Sequence, residues 1–97
     1  MIARLIDWWA KQNDHGVGSV EYTRSDDAWD VTLSEIDSNA DNGEVEHIYH
    51  GNCWDTWIDD DTPPDIEADM ANAFWHAVKA ARGEAFVEVE RARFESR

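Results

Sequence analysis

Three residues of metal-binding type stand close together in the middle of the chain. His47, His50 and Cys53 are spaced H-x-x-H-x-x-C, with Asp55 just beyond. Imidazole nitrogen and thiolate sulfur are the donors that zinc takes in a tetrahedral array. On a strand, however, His47 and His50 point to opposite faces, because successive side chains alternate. Only a strand end running into a turn gathers all three. The chain has one cysteine and no paired C-x-x-C knuckle, so the simpler reading is two strand-end histidines and a small buried thiol.

Carboxylates are so abundant that a pair of them carries little information. Pro64-Asp65 and Glu88-Val89-Glu90 supply acids of the kind a metal-dependent nuclease uses, but a glutamate stands where such a site needs a lysine. Asp59, Asp60 and Asp61 have the chemistry for a divalent cation, yet lack the central glycine and closing glutamate of an EF-hand loop. A solvated, helix-capping acidic turn accounts for them better. There is no G-x-S-x-G, no phosphate-binding glycine loop and no cysteine with a spaced histidine partner. The expectation is a protein that is not an enzyme, with no catalytic residues, no metal and no cofactor.

What the sequence offers instead is charge. It has 22 acidic and 8 basic residues in 97, a formal net charge of −14. That balance excludes direct nucleic-acid binding through phosphates and argues against docking on anionic membranes. It also exceeds the magnitude of roughly 2–8 that keeps a small domain soluble. The acids are clustered. Asp55, Asp59, Asp60, Asp61, Asp65, Glu67 and Asp69 place seven carboxylates in residues 55–69, and Asp37, Asp41, Glu44 and Glu46 form a second group. Duplex DNA carries one charge per about 1.7 Å, so fourteen charges equal about 24 Å of duplex. A domain of this length has a radius of gyration near 13 Å and a comparable span. The competing account is a generic acidic surface, as halophilic proteins carry.

Tryptophan is the other anomaly, with six in the chain. Trp9 and Trp29 fall on the core faces of their elements. Trp8 is at the margin of its stripe, and Trp75 falls near the opposite side of its helix from Phe74 and Ala77. Trp54 and Trp57 lie in a segment without clear periodicity. Tryptophan is the residue most enriched at binding hot spots. An exposed Trp75 in an acidic field would anchor a partner that the charge had steered in; packing against the first helix is the alternative for Trp75.

These residues must be positioned by a single small domain, residues 1–97. Residues 2–12 read as an amphipathic helix, with Ile2, Leu5, Ile6 and Trp9 on one face, stopped by residues 13–16. Residues 17–23, 29–34 and 44–50 read as strands, joined by turns at 25–27 and 37–43, the second with an Asn-Gly reversal signal. Residues 51–61 give no clear pattern. A helix follows, with Thr62 suited to the N-cap, Pro63 to the first helical position and Gly83 to the stop. Its buried stripe is Ile66, Met70, Ala73, Phe74, Ala77, Val78 and Ala81, and a separate stripe away from it holds Asp65, Asp69, Asn72 and His76. Residues 85–94 alternate at Val87 and Val89 and read as a final strand. The expected fold is α+β in the order α-β-β-β-α-β, an antiparallel sheet of about four strands with two helices on one face.

In size, charge and the acidic run from Asp55 to Asp69, the chain resembles the small phage-encoded anti-CRISPR proteins that inhibit by mimicking DNA. The resemblance covers the whole chain but is compositional and transfers no residue one by one. It implies a cofactor-free inhibitor that occupies the DNA- or guide-binding surface of a bacterial CRISPR effector complex, or another basic nucleic-acid-binding protein. The contact residues expected are Asp55, Asp59, Asp60, Asp61, Asp65, Asp69 and Trp75, with Asp37, Asp41, Glu44 and Glu46 secondary. The alternative is a homo-oligomeric acidic accessory protein whose exposed tryptophans pack on a second copy, so a homodimer remains open. A lone cysteine, no signal-peptide pattern and no apolar run near the ~18 residues of a membrane span point to the cytoplasm of a bacterial host cell.

Overall fold

Period-two alternation in the middle of the chain produces a three-stranded antiparallel meander, and helical periodicity on either side of it produces three helices. The computed structural model describes residues 2–12, 18–37, 43, 45–57 and 59–96. Its elements are α1 (Ile2–Gln12), β1 (Gly18–Ser25), β2 (Ala28–Asp37), β3 (Val45–Trp54), α2 (Ile66–Arg82) and α3 (Glu84–Glu95). The α+β class and the first five elements agree with the sequence reading. The sheet has the order β1-β2-β3.

The β1–β2 turn is tight, with Ser25 opposite Ala28. Asp26 takes φ 47 there, a left-handed conformation that aspartate tolerates better than most residues. β3 runs four residues beyond the strand expected at 44–50 and absorbs Cys53 and Trp54. The helix stop expected at residues 13–16, and Asp41, Glu44 and Ile58, lie outside the described residues.

The last element departs from expectation. Residues 84–95 form a helix, so among the described residues the sheet has three strands and the fold three helices. The Val87/Val89 alternation spans too few positions to set a period. Phe86, Val87 and Phe94 recur at helical spacing and turn inward, whereas Val89 is exposed. Glutamate, alanine and arginine favour helix, and the pairs Arg91–Glu95 and Arg93–Glu90 lie four and three residues apart. Gly83, at φ 92, is the single residue between α2 and α3. Its N–H closes α2 by donating to the carbonyl of Lys79.

All three helices lie on one face of the sheet. α2 packs on β3 and β2, α1 on β1 and α2, and α3 on α2. The core contains Leu5, Trp8, Trp9, Val31, Leu33, Ala73, Phe74, Trp75, Ala77, Val78 and Phe94. On α1 the buried side is Leu5, Trp8 and Trp9, while Ile6, assigned inward from its spacing, is exposed. Trp8 sits opposite Phe74 and Trp75 at 6.1 and 5.1 Å, which rotates the buried stripe toward it.

α2 approaches β3 most closely at Gly51. A Cβ there would land on the backbone nitrogen of Ala77 and the carbonyl oxygen of Ala73. Backbone cannot swing aside as a side chain does. Gly51→Ala is therefore expected to push α2 off the sheet and cost about 3 kcal/mol, the upper end of ordinary overpacking. Urea denaturation followed by circular dichroism checks this, and an unchanged midpoint would contradict the close approach.

Candidate partner-binding surface

The segment between β3 and α2 carries the densest acids, and several of them are fixed by backbone bonds. Asp59 Oδ1 accepts from the backbone N–H groups of Asp61 (2.9 Å) and Thr62 (2.7 Å). The Thr62 side-chain hydroxyl contributes most to holding the Asp59 carboxyl below the usual aspartate range, and the backbone N–H groups of Asp61 and Thr62 add to it. Asp65, rather than Thr62, is the N-cap of α2, its Oδ1 accepting from the Ala68 N–H at 3.1 Å. The helix starts at Ile66 because two consecutive prolines hold the chain extended before it, each restricting the residue that precedes it. Asp59, Asp60, Asp61 and Asp65 are all exposed.

Other predicted contact residues are committed to the fold. Asp55 forks onto Arg24, with both oxygens 2.6 Å from guanidinium nitrogens. The Arg24 bond holds the Asp55 carboxyl below its ordinary value, and the same guanidinium lies 5.2 Å from the centre of the Trp29 ring. Asp69 is 2% exposed rather than on an outer stripe. Its Oδ2 accepts the Thr56 N–H at 3.2 Å, pinning the chain as it leaves β3, while the Cys53 thiol lies 4.0 Å from its other oxygen. Burial pushes the Cys53 thiol up, and the nearby Asp69 charge adds to this. Elsewhere on that α2 stripe, the half-buried Asn72 accepts from Arg91 at 2.6 Å, and His76, though exposed, donates from Nδ1 to the Asn52 carbonyl at 2.5 Å.

Trp75 is also internal, at 2% exposure. Its ring lies 5.1 Å from Trp8, 5.3 Å from Phe74 and 6.1 Å from Phe94. This corrects the expected contact role, and its cause is the added helix. A final strand would have left that side of α2 open, whereas α3 and α1 close over it.

The exposed tryptophans are the two in the segment that had no readable pattern. Trp54 is 69% and Trp57 58% exposed. Ile66, expected in the buried stripe of α2, is 60% exposed at the head of the helix. Ile66 also lines a shallow cleft with Pro63, Pro64, Trp29, Arg24 and Asp55. Exposed apolar side chains therefore occur in the same stretch of chain as exposed acids. Their only advance signal was that Trp54 and Trp57 fitted no buried stripe.

In the second acidic group, Glu46 is exposed on β3, and Asp37 ends β2. Among the described residues no three His, Cys, Asp or Glu side chains lie close enough together to hold a metal ion. His50 faces away from the helices and hydrogen-bonds Thr32 at 3.2 Å, while Cys53 points toward Asp69 on α2, so the H-x-x-H-x-x-C spacing does not converge.

Basic side chains are largely consumed inside the chain. Lys11 pairs with Asp7, Arg24 with Asp55, Arg82 with Glu35, Arg91 with Glu95 and Arg93 with Glu90. Arg82, 5.3 Å from the centre of the Trp9 ring, is the main reason the Glu35 carboxyl is held below its ordinary value. Buried with no polar partner among the described residues, the Tyr22 hydroxyl is pushed up to about 12 by desolvation. The molecule measures 54 × 30 × 22 Å, longer than the expected span, so its net charge per unit length is about half that of duplex DNA. The acid density is local to residues 59–67 rather than uniform.

Fold and surface together define a small α+β domain, helices on one side of an antiparallel meander, with an acidic, tryptophan-bearing segment at one end of β3. Comparison with family models, curated proteins and solved structures gave no match. No helix among the described residues is long and apolar enough to cross a membrane.

Proposed function

We propose that the protein is a non-enzymatic inhibitor that docks on the basic, nucleic-acid-binding surface of another protein. The observation that carries this reading is the co-occurrence, in residues 54–67, of exposed tryptophans with exposed carboxylates. Five basic side chains are already paired within the chain, which leaves a large negative excess for an external cation to meet. Exposed charge raises association rates, and a desolvated aromatic anchor slows dissociation. The compositional resemblance to anti-CRISPR proteins makes CRISPR effector complexes the first targets to test, with mimicry of DNA as the mode of inhibition.

The test is binding of the purified protein to such complexes and to other DNA-binding bacterial proteins at about 50 and 500 mM salt, with DNA as competitor. Exposed charges are screened beyond about 10 Å at 0.1 M. Binding at low salt that weakens steeply at high salt, and that excludes DNA from the same site, is the expected result. No capture at low salt by any of these targets would overturn the reading.

A further inference from the structure

We propose that β3 is a self-pairing edge through which two copies of the chain join in antiparallel fashion, with Ile48 on the two-fold axis. The proposal does not depend on what the acidic segment binds.

It starts from the hydrogen-bond parity of the sheet. The tight turn makes Ser25 and Ala28 a hydrogen-bonded pair, so alternate residues of β2 serve β1 and the rest serve β3. The bond from the Asp55 N–H to the Asp27 carbonyl continues the second set past the end of the ladder. Val45, His47, Tyr49, Gly51 and Cys53 therefore bond toward β2. The backbone groups of Glu46, Ile48, His50, Asn52 and Trp54 point off the sheet. At the far end these are already engaged: the Asn52 carbonyl takes His76, and the Trp54 carbonyl takes the Cys53 thiol and the Thr56 hydroxyl. Among the described residues nothing engages the outward backbone groups of Glu46, Ile48 and His50, and no element lies beyond β3.

Natural sheets protect such an edge with charged side chains, lysine above all, with proline, a bulge or a very short strand. Of these β3 has only Glu46, near one end. It is ten residues long, contains no proline or lysine, and its register against β2 is unbroken from Val45 to Trp54. The other edge, β1, carries Glu21 and Arg24 and has α1 packed beside it.

The open groups also specify a register. Pairing Ile48 with Ile48 of a second copy brings Glu46 opposite His50 on both sides of the axis. All three pairs are of the hydrogen-bonded kind, so about six backbone bonds form. Their side chains share the sheet face opposite the helices, where Ile48 is 53% exposed. The two isoleucines would cover each other, and each carboxylate would meet an imidazole, a favourable cross-strand pairing. Shifting the register by two residues toward Trp54 brings in the Asn52 carbonyl, which His76 occupies. The highly charged chains tolerate this contact because Glu46 is the only acid on β3. The acids that follow Trp54 begin about 20 Å from the axis at strand spacing, beyond the Debye length of about 8 Å at physiological salt.

Sedimentation velocity on the full chain over a concentration series, with cysteine crosslinking in a Cys53→Ser background, tests the proposal. Paired residues across such a ladder sit about 5.5 Å apart at Cα, within disulfide reach. A concentration-dependent dimer is expected. Ile48→Cys should crosslink to itself, and Glu46→Cys should crosslink to His50→Cys in a mixture while neither does so alone. Ile48→Lys, which puts like charges on the axis, should be monomeric with an unchanged circular dichroism spectrum. A chain that stays monomeric at every concentration would overturn the proposal. So would a dimer that survives Ile48→Lys but is dissolved by Trp54→Ala with Trp57→Ala.

Discussion

Replacing Trp75 with alanine is expected to destabilise the protein by about 3–5 kcal/mol, a large part of the roughly 5–15 kcal/mol available to a small domain. The ring is 2% exposed and meets Trp8, Phe74 and Phe94, so its removal leaves a cavity where α1, α2 and α3 converge. Backbone on three helices limits how far that cavity can collapse. Self-repulsion at a net charge of −14 narrows the margin further. Urea denaturation should show the midpoint fall sharply, with Trp75→Phe losing less because an aromatic ring still fills part of the space. A Trp75→Ala protein with the parental midpoint would contradict this packing.

The opposite behaviour is expected at the other end of the molecule. Trp54→Ala with Trp57→Ala should leave the urea midpoint within about 0.5 kcal/mol of the parent, as surface substitutions do. For the captured basic partner the same pair should weaken binding at least about 100-fold, since hot-spot truncations cost 2 kcal/mol or more each. Asp60→Asn with Asp61→Asn should mainly slow association and flatten the salt dependence. Asp59, Asp65 and Asp69 are unsuitable for this comparison because each accepts a backbone N–H that shapes the segment. Surface plasmon resonance separates the two rates. A double tryptophan variant that binds like the parent would remove residues 54 and 57 from the interface.

The meander was legible because its polar and apolar residues alternate over enough positions to specify both register and face. The head of α2 was legible through its prolines and acids, although the cap fell on Asp65 because the second proline delays the helix. α3 was missed for a definable reason. Two valines spaced two apart imitate a strand, while the helical signal lies in Phe86 and Phe94, eight residues apart. That single error propagated. With no helix beside α2, Trp75 looked like a surface residue; Asp69 looked solvated for a different reason, because the Cys53 and Thr56 groups that meet it lie in the stretch without a readable pattern. Which tryptophan is exposed depends on tertiary neighbours, which periodicity within one helix cannot report.

The aromatic seam between α1 and α3 also governs the order in which the chain can assemble. Arg4 lies 4.7 Å from the centre of the Phe94 ring, and Trp8 lies 6.3 Å from Phe86. These contacts close the longest loops in the molecule. The hairpins of the meander and the α2–β3 packing close much shorter ones, at smaller entropic cost. Since α1 is synthesised before α3, it must wait for that later helix before Trp8 and Trp75 are covered together. Fraying of either helix uncovers the same two indoles, so the seam ties α1 and α3 into one cooperative unit.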